Sequence, residues 1–123
     1  MKKKRVLLVE DNKNVSLVIK DGLANLGADS EVETAASGEE ALRLIEQYAW
    51  DLVLTDHCMR GMTGLELIET LKTQSPTTRT ILITAYGTAE LEQAAQRLNV
   101  YGYMTKPFPL ADLKRVVQSA LAS

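Results

Sequence analysis

The chain has 123 residues, of which 46% are hydrophobic and 24% charged, and its formal net charge is −2. This length predicts a single domain over 1–123, and the hydrophobic fraction excludes a disordered chain. The slightly acidic balance argues against a domain whose main task is to coat nucleic acid or an anionic membrane.

Cysteine and histidine occur once each, as Cys58 and His57. One cysteine excludes an internal disulfide, and the two residues cannot make a Cys/His zinc site, so any metal needs oxygen ligands. No apolar run approaches the roughly 20 residues that span a bilayer. The first apolar run, 6–9, is followed at once by Glu10 and Asp11, unlike a signal peptide. We therefore expect a cytoplasmic protein.

Five short segments have the composition of β-strands. Three are unbroken apolar runs, typical of strands buried on both faces of a parallel sheet. One alternates apolar and polar residues, which predicts a half-exposed edge strand, and the last is a weaker strand. In chain order the segments are 6–9, 30–35 (the alternating one), 52–55, 81–83 and 101–105.

Amphipathic helices are predicted between the strands, because apolar residues recur there at spacings of three and four. The apolar stripes are Val15, Val18, Ile19, Leu23 and Leu26; Ala41, Leu44, Ile45 and Tyr48; Leu65, Ile68 and Leu71; Leu91, Ala94, Ala95 and Leu98; and Leu113, Val116, Val117, Ala120 and Leu121. We assign these stripes to the core. Strands that alternate with helices predict a parallel sheet with right-handed crossovers and helices on both faces.

Helix ends also have sequence signals. Ser37 followed by Glu40 predicts a capping box at the start of the second helix. Gly27 predicts the end of the first helix, and Pro109 lies at or near the first turn of the last one.

Polar side chains follow the predicted strands. Glu10 and Asp11 follow strand one, Asp56 follows strand three, Thr84 ends strand four and Lys106 follows strand five. In open α/β sheets, ligands bind outside the carboxyl ends of the strands. Any one of these residues alone would be an ordinary cap or loop residue, whereas the whole set on one edge of the sheet indicates a site.

The chemistry of this set favours a phosphoryl group. Three carboxylates held together either acquire raised pKa values or bind a cation, and oxygen ligands beside one lysine favour Mg²⁺. A threonine hydroxyl and a lysine can contact phosphoryl oxygens, and a carboxylate can act as the nucleophile.

With these residues in place, the chain resembles a response-regulator receiver domain from Val6 to about Leu121. The matching segments are Val6–Asp11, Asp51–Met59, Gly61–Leu67, Ile81–Ala85 and Tyr103–Phe108. The resemblance implies a (βα)₅ flavodoxin-like fold, a three-layer sandwich whose five-stranded parallel sheet has the order 2-1-3-4-5.

The resemblance also implies roles for individual residues. Asp56 is the expected phosphoacceptor for the phosphohistidine of a histidine kinase. Asp11 and Asp56 are expected to ligate Mg²⁺ directly, Glu10 through a metal-bound water and Cys58 through its backbone carbonyl. Lys106 is expected to pair with Asp56 and then with the phosphoryl group, and the Lys106–Pro107 peptide to be cis.

Switching is a further implication of the resemblance. Thr84 is expected to turn inward to the phosphoryl oxygen, and Tyr103 to follow by changing rotamer. This would alter the surface of helix four, strand five and helix five, which is the expected readout surface. The alternative for Tyr103 is a packed strand tyrosine with an exposed hydroxyl.

The implied function is a phosphorylation-activated switch of a two-component system, not an enzyme beyond its own phosphorylation and slow dephosphorylation. The expected partner is a sensor histidine kinase or phosphotransfer protein, with an output domain or effector outside this chain. We expect no direct contact of this domain with nucleic acid or membrane. A homodimer that forms on phosphorylation is a further expectation.

The sequence departs from the family pattern at two loop positions, with Arg60 where proline is usual and Thr63 where aspartate is common. We expect these two departures to affect the rigidity of the loop more than phosphorylation. Arg60 is expected to be a solvated loop residue. His57 is expected to face away from Asp56, because adjacent strand residues point in opposite directions. Tyr86 is either a plain loop aromatic or a shield against water.

Three other functions compete with this interpretation. A Mg²⁺-dependent phosphatase needs a general acid two positions after Asp56, where Cys58 stands. A nucleotide- or flavin-binding module needs a phosphate loop after strand one, where two acids would repel phosphate. A pseudo-receiver that serves only for docking would be expected to lack part of the set Asp11, Asp56, Thr84 and Lys106, all of which are present.

Overall fold

Strands and helices alternate along the chain, as the apolar pattern predicts. The computed structural model describes residues 3–24 and 30–122. The elements are β1 Lys4–Val9, α1 Lys13–Gly22, β2 Ser30–Ala35, α2 Gly38–Gln47, β3 Leu52–Asp56, α3 Gly64–Gln74, β4 Arg79–Thr84, α4 Ala89–Arg97, β5 Gly102–Thr105 and α5 Leu110–Ala122. Each predicted strand is present, and no observed end differs from the prediction by more than two residues.

All five strands pair in parallel in the order β2-β1-β3-β4-β5. This is the flavodoxin-like order that the sequence resemblance implies. The alternating segment forms β2 at the edge of the sheet, with mostly half-buried and exposed residues, as predicted. The three unbroken apolar runs form β1, β3 and β4, which are the interior strands.

The two faces of the sheet are covered by different helices. Val6 and Leu8 of β1 pack into a core with residues of α1 and α5, whereas Leu7 and Val9 pack with residues of α2 and α3. A smaller cluster lies between α3, α4 and the middle of β4. The alternation follows from the two-residue period of a strand, and it makes a helix–sheet–helix sandwich. Among the described residues, no helix is both long and apolar enough to span a bilayer.

The apolar stripe of α1 is narrower than predicted. Ile19 and Leu23 are buried, but Val18 is 57% exposed, so its assignment to the core was wrong. Successive helical residues are about 100° apart, and a face centred on Ile19 and Leu23 therefore leaves Val18 at its outer side. Leu26 and Gly27, which were predicted to end this helix, lie outside the described residues.

Tyr48 was also wrongly assigned to a helical stripe. It follows the last residue of α2 with extended backbone angles, so it lies on no helical face. Its side chain is half exposed, and the Arg5 guanidinium lies 4.8 Å from its ring centroid. A cation–π contact stabilises this position instead of the core.

The capping signals were partly right. Ser37 accepts a hydrogen bond from the Glu40 N–H at 3.0 Å, but the Glu40 carboxylate accepts from the Ala36 N–H and not from Ser37. The reciprocal box is at α3, where Thr63 Oγ1 accepts from Glu66 and the Glu66 carboxylate accepts from the Thr63 N–H. Thr63 therefore fixes the start of α3.

Pro109 immediately precedes α5, as predicted. Its carbonyl accepts from the N–H groups of Asp112 and Leu113, which are in the first turn of that helix.

Candidate functional site

The register of the parallel strands places Glu10 and Asp56 at the same edge of the sheet. Val9 of β1 lies opposite Thr55 of β3, so the next residue of each strand is at the same level. Both carboxyl side chains are buried, with exposed fractions of 5% for Glu10 and 7% for Asp56. The Asn12 N–H donates to Glu10 Oε2 at 3.0 Å and so fixes the Glu10 side chain.

The other half of this edge comes from β4 and β5. Thr84, the last residue of β4, lies opposite Thr105, and the following Lys106 donates its backbone N–H to the Thr84 carbonyl at 2.8 Å. The Lys106–Pro107 peptide is cis, as predicted. The register therefore brings Lys106 to the edge at which β3 ends.

Lys106 lies between the two buried acids. Its ammonium Nζ is 3.4 Å from Asp56 Oδ1 and 3.6 Å from Glu10 Oε1. The predicted pairing with Asp56 is present, and Glu10 is a second partner. One ammonium group thus partly neutralises two carboxylates.

The pKa values of both acids are raised in spite of this cation. Burial is the main cause for Asp56, and the nearby charge of Asp11 adds to it, whereas Lys106 opposes the rise in pKa. For Glu10, burial again raises the pKa most, and the Asn12 N–H opposes it. Two carboxylates whose charge is disfavoured at one edge indicate a place where a further cation would be stabilising.

Asp11 has a different environment. Its Oδ2 atom accepts a hydrogen bond from the Arg60 backbone N–H at 3.2 Å, and Arg60 Nε lies 3.6 Å from the same oxygen. Burial by itself would raise the pKa of Asp11. Three interactions outweigh this effect, so the pKa is lowered: the hydrogen bond from the Arg60 N–H, a hydrogen bond with Glu10 and the Arg60 charge. Arg60 is a solvated loop residue, as expected, since its side chain is 91% exposed, and its contact with Asp11 is an additional finding.

The oxygen atoms at this edge fit a hard divalent cation. Asp56 Oδ1 is buried and accepts no hydrogen bond from the described residues, although Lys106 Nζ lies 3.4 Å away. No three acidic, histidine or cysteine side chains of residues 3–24 and 30–122 form a ready metal cluster. Mg²⁺ does not need one, because it usually keeps several waters and takes only one or two carboxylates. Cys58 follows in the loop after β3, and its thiol is exposed.

The side chain of Thr84 is fully buried, and its Oγ1 accepts from the Tyr86 N–H at 3.1 Å. A hydroxyl that accepts one bond still has its own proton to donate. The Tyr86 side chain is 77% exposed.

Tyr103, on β5, is half buried and reaches the loop after β4. A Cβ atom on Gly87 would lie 2.9 Å from the Tyr103 hydroxyl, so the absence of a side chain at Gly87 makes room for it. Burial raises the pKa of the Tyr103 hydroxyl, and the Glu92 carboxylate adds to the rise. The hydroxyl therefore lies against the segment that follows Thr84.

His57 contacts the start of α3 through its imidazole ring. Its Nδ1 atom accepts a hydrogen bond from the Leu65 N–H at 3.3 Å, at the start of α3. The imidazole thus contributes to the attachment of α3 to β3.

Sequence reasoning missed three residues that shape the site. Asn12 caps α1 through its side chain, and its backbone N–H donates to the Glu10 carboxylate. The sequence signal for this cap is a polar residue directly before a helical stripe. Gly64 permits close packing, because a Cβ there would lie 2.4 Å from the Asp56 carbonyl oxygen. Gly87 likewise leaves room for the Tyr103 hydroxyl. No local pattern in the sequence distinguishes this glycine.

Residues 6–118 match the family model of the response regulator receiver domain. The chain is 34% identical over 117 residues to the regulatory protein AtoC of Escherichia coli (strain K12), a match that covers 95% of this chain. The chain spans about a quarter of the length of AtoC.

Solved structures are similar over nearly the whole chain. A response regulator receiver domain protein (CheY-like) from Methanospirillum hungatei JF-1 has a TM-score of 0.91 and 30% identity, covering 98% of this chain and 95% of that chain. The response regulator protein TrrA from Thermotoga maritima, solved in complex with Mg(2+)-BeF, has a TM-score of 0.85 and 32% identity. That match covers 96% of this chain and 99% of TrrA.

Proposed function

The chain belongs to the response regulator receiver domain family, and from this premise we propose that Asp56 accepts a phosphoryl group from a phosphohistidine. Membership of the family implies phosphorylation-dependent signalling in a two-component system. The phosphoryl donor would be a sensor histidine kinase or a histidine phosphotransfer protein.

The observation that supports Asp56 best is the environment of its carboxylate. The side chain is buried at the end of a central strand, and Oδ1 has the Lys106 ammonium at 3.4 Å but no hydrogen bond from the described residues. A carboxylate that is poorly solvated and only partly neutralised is a better nucleophile than one that water surrounds. Asp11 and Glu10 have other contacts, to Arg60 and to the Asn12 N–H respectively.

We propose the following transfer step at these residues. A carboxylate oxygen of Asp56 forms a bond to phosphorus while the bond from phosphorus to the donor imidazole nitrogen breaks. The electron pair of that bond stays on the imidazole nitrogen, so the donor leaves as a histidine. Lys106 offers its ammonium to the phosphoryl oxygens, and the Thr84 hydroxyl donates its proton to one of them.

Residues of this chain would hold Mg²⁺ at the same edge. Asp11 and Asp56 would ligate it directly, Glu10 through a water and Cys58 through its backbone carbonyl. When bound, Mg²⁺ supplies positive charge that neutralises the transferring phosphoryl oxygens. The match to TrrA, which was solved with Mg(2+)-BeF, supports this cation.

The signal would leave the site through Thr84 and Tyr103. Thr84 would turn to the phosphoryl oxygen, and the Tyr103 ring, whose hydroxyl lies against Gly87, would change rotamer when the segment after β4 moves. The readout surface would then be α4, β5 and α5. Phosphorylation shifts this equilibrium only if one conformer binds the phosphoryl group better than the other.

The partners and the output are further parts of the proposal. Since this chain corresponds to about a quarter of AtoC, we place the output in a domain or effector outside residues 1–123. We propose no direct binding of nucleic acid or membrane by this domain, and a homodimer that forms on phosphorylation. A single thiol suits a reducing compartment, and we propose the cytoplasm.

The experiment is to incubate the protein with acetyl phosphate, with and without Mg²⁺, and to measure the intact mass. Wild type should gain one phosphoryl group only with Mg²⁺, and Asp56→Asn should gain none. Asp51→Asn is the matched control, because Asp51 is an exposed aspartate whose carboxylate accepts from the Arg5 N–H. Equal modification of wild type and Asp56→Asn would overturn the proposal.

A further inference from the structure

Arg60 contacts the acidic edge of the site through Asp11, whereas Lys106 contacts it through Glu10 and Asp56. We propose that Arg60 is an internal counter-cation of Asp11, which competes with Mg²⁺ and thereby sets the Mg²⁺ concentration that the site requires. The proposal rests on the function proposed above, because it concerns how readily the cation for that reaction binds.

Two groups of Arg60 contact one carboxylate oxygen. The backbone N–H donates to Asp11 Oδ2 at 3.2 Å, and the guanidinium Nε lies 3.6 Å from the same atom. Proline, which is usual at this position in the family that the sequence resembles, has neither an N–H nor a charge. Both contacts therefore depend on the presence of arginine instead of proline at position 60.

The charges at the edge are divided into two groups. Lys106 lies between Glu10 and Asp56, at 3.6 and 3.4 Å, whereas Arg60 pairs with Asp11. Asp11 thus already has a cation of the chain itself as its partner.

Mg²⁺ and the Arg60 side chain compete for this oxygen. A guanidinium a few ångströms from a bound divalent cation repels it, so Mg²⁺ binding has to displace Arg60. The Arg60 side chain is 91% exposed and can move into water at small cost, which limits the competition. We expect an effect of about threefold to tenfold on the Mg²⁺ dissociation constant, the size typical of an exposed ion pair plus a like-charge repulsion.

The experiment is a calorimetric titration of the full chain with Mg²⁺. Trp50 is not a suitable probe, because it precedes β3 and lies at the other end of the sheet from Asp56. Arg60→Gln, which keeps the backbone N–H, should bind Mg²⁺ about threefold to tenfold more tightly than wild type, and Arg60→Lys should stay close to wild type. Because salt screens exposed charges, the ratio between Arg60→Gln and wild type should shrink as NaCl is added.

Two controls separate this proposal from the function that it rests on. Arg97→Gln makes the same change in net charge at an exposed position in the last turn of α4, away from the acidic edge, and should leave Mg²⁺ affinity unchanged. Asp11→Asn should greatly weaken binding. If Arg60→Gln binds Mg²⁺ as wild type does, or more weakly, the Arg60 proposal is overturned while the proposed function stands. If neither wild type nor Arg60→Gln binds Mg²⁺, both are overturned.

Discussion

The Lys106 ammonium lies 3.4 Å from Asp56 Oδ1, and the same nitrogen lies 3.6 Å from Glu10 Oε1. One cation thus lies between two buried acids at the ends of neighbouring strands. The pKa values of both acids are nevertheless raised, mainly because they are buried. The site therefore holds more negative charge than its own lysine neutralises.

The raised pKa values of these two acids make stability depend on pH. An acid whose pKa is higher in the folded than in the unfolded chain binds more protons when the chain is folded. The free energy of unfolding therefore falls as the pH rises from the pKa of the unfolded chain through the pKa of the folded chain. For Asp56 the unfolded value is near 3.8, and for Glu10 it is near 4.5. At neutral pH both acids are expected to reduce stability.

In the absence of Mg²⁺ and at neutral pH, Asp56→Asn should therefore be more stable than wild type. We expect a gain of about 1 kcal/mol in the free energy of unfolding, measured with urea, and a smaller gain as pH falls toward 4. Asp51→Asn should show no such gain. A loss of stability in Asp56→Asn, or a gain that is the same at every pH, would contradict this account of the charge.

Gly64 is required for the packing of α3 on the end of β3. A Cβ atom there would lie 2.4 Å from the Asp56 carbonyl oxygen and 2.9 Å from His57 Cα, and backbone atoms cannot move aside cheaply. Gly64→Ala should lower the free energy of unfolding by about 1–3 kcal/mol and slow phosphorylation. In Gly22→Ala the new Cβ meets only the flexible Leu110 side chain, at 3.1 Å, so this control should be close to wild type. Equal stability of the two variants would be evidence against the packing argument.

Gly87 controls the position of Tyr103. Its added Cβ would lie 2.9 Å from the Tyr103 hydroxyl and 2.9 Å from Thr105 Cγ2, and both are ends of side chains. Gly87→Ala should therefore leave the fold intact and shift the Tyr103 ring to another rotamer, which NMR of the ring signals would detect. Adding Tyr103→Phe removes the hydroxyl and should relieve part of the strain. Unchanged ring signals in Gly87→Ala would exclude this coupling.

Tyr86 tests whether a side chain protects the aspartyl phosphate from water. Its backbone N–H donates to Thr84 Oγ1, and alanine keeps that bond, so Tyr86→Ala removes only the ring. If the ring is a shield, the half-life of the phosphorylated protein should shorten severalfold, which the release of phosphate measures. An unchanged half-life would leave Tyr86 a plain loop aromatic.

The fold could be predicted because local patterns determine it. Short apolar runs that alternate with helical stripes have few arrangements other than a parallel sheet with helices on both faces. The extent of a buried face is harder to predict, because it depends on how a helix is rotated against the sheet. Val18 shows this, since its spacing fits the stripe of α1 but the rotation of the helix leaves it exposed.

The site could be predicted as a set of strand ends, but its contacts could not. Asp11 and Arg60 are 49 residues apart, and their contact depends on the path of two loops that have no periodic pattern. The same applies to caps, because Ser37 and Thr63 both have glutamate three residues later and only Thr63 forms the reciprocal box. Side-chain geometry at loops and caps is decided by tertiary packing, which local spacing does not report.

Asp56 is the residue that we propose to carry the phosphoryl group. Borohydride reduces an aspartyl phosphate to homoserine, so peptide mapping after reduction of the phosphorylated protein identifies the residue directly. With acetyl phosphate and Mg²⁺, we predict homoserine at position 56 alone, and none when Mg²⁺ is left out. Homoserine at any other aspartate, or none at position 56 in wild type with Mg²⁺, would show that Asp56 is not the phosphoacceptor.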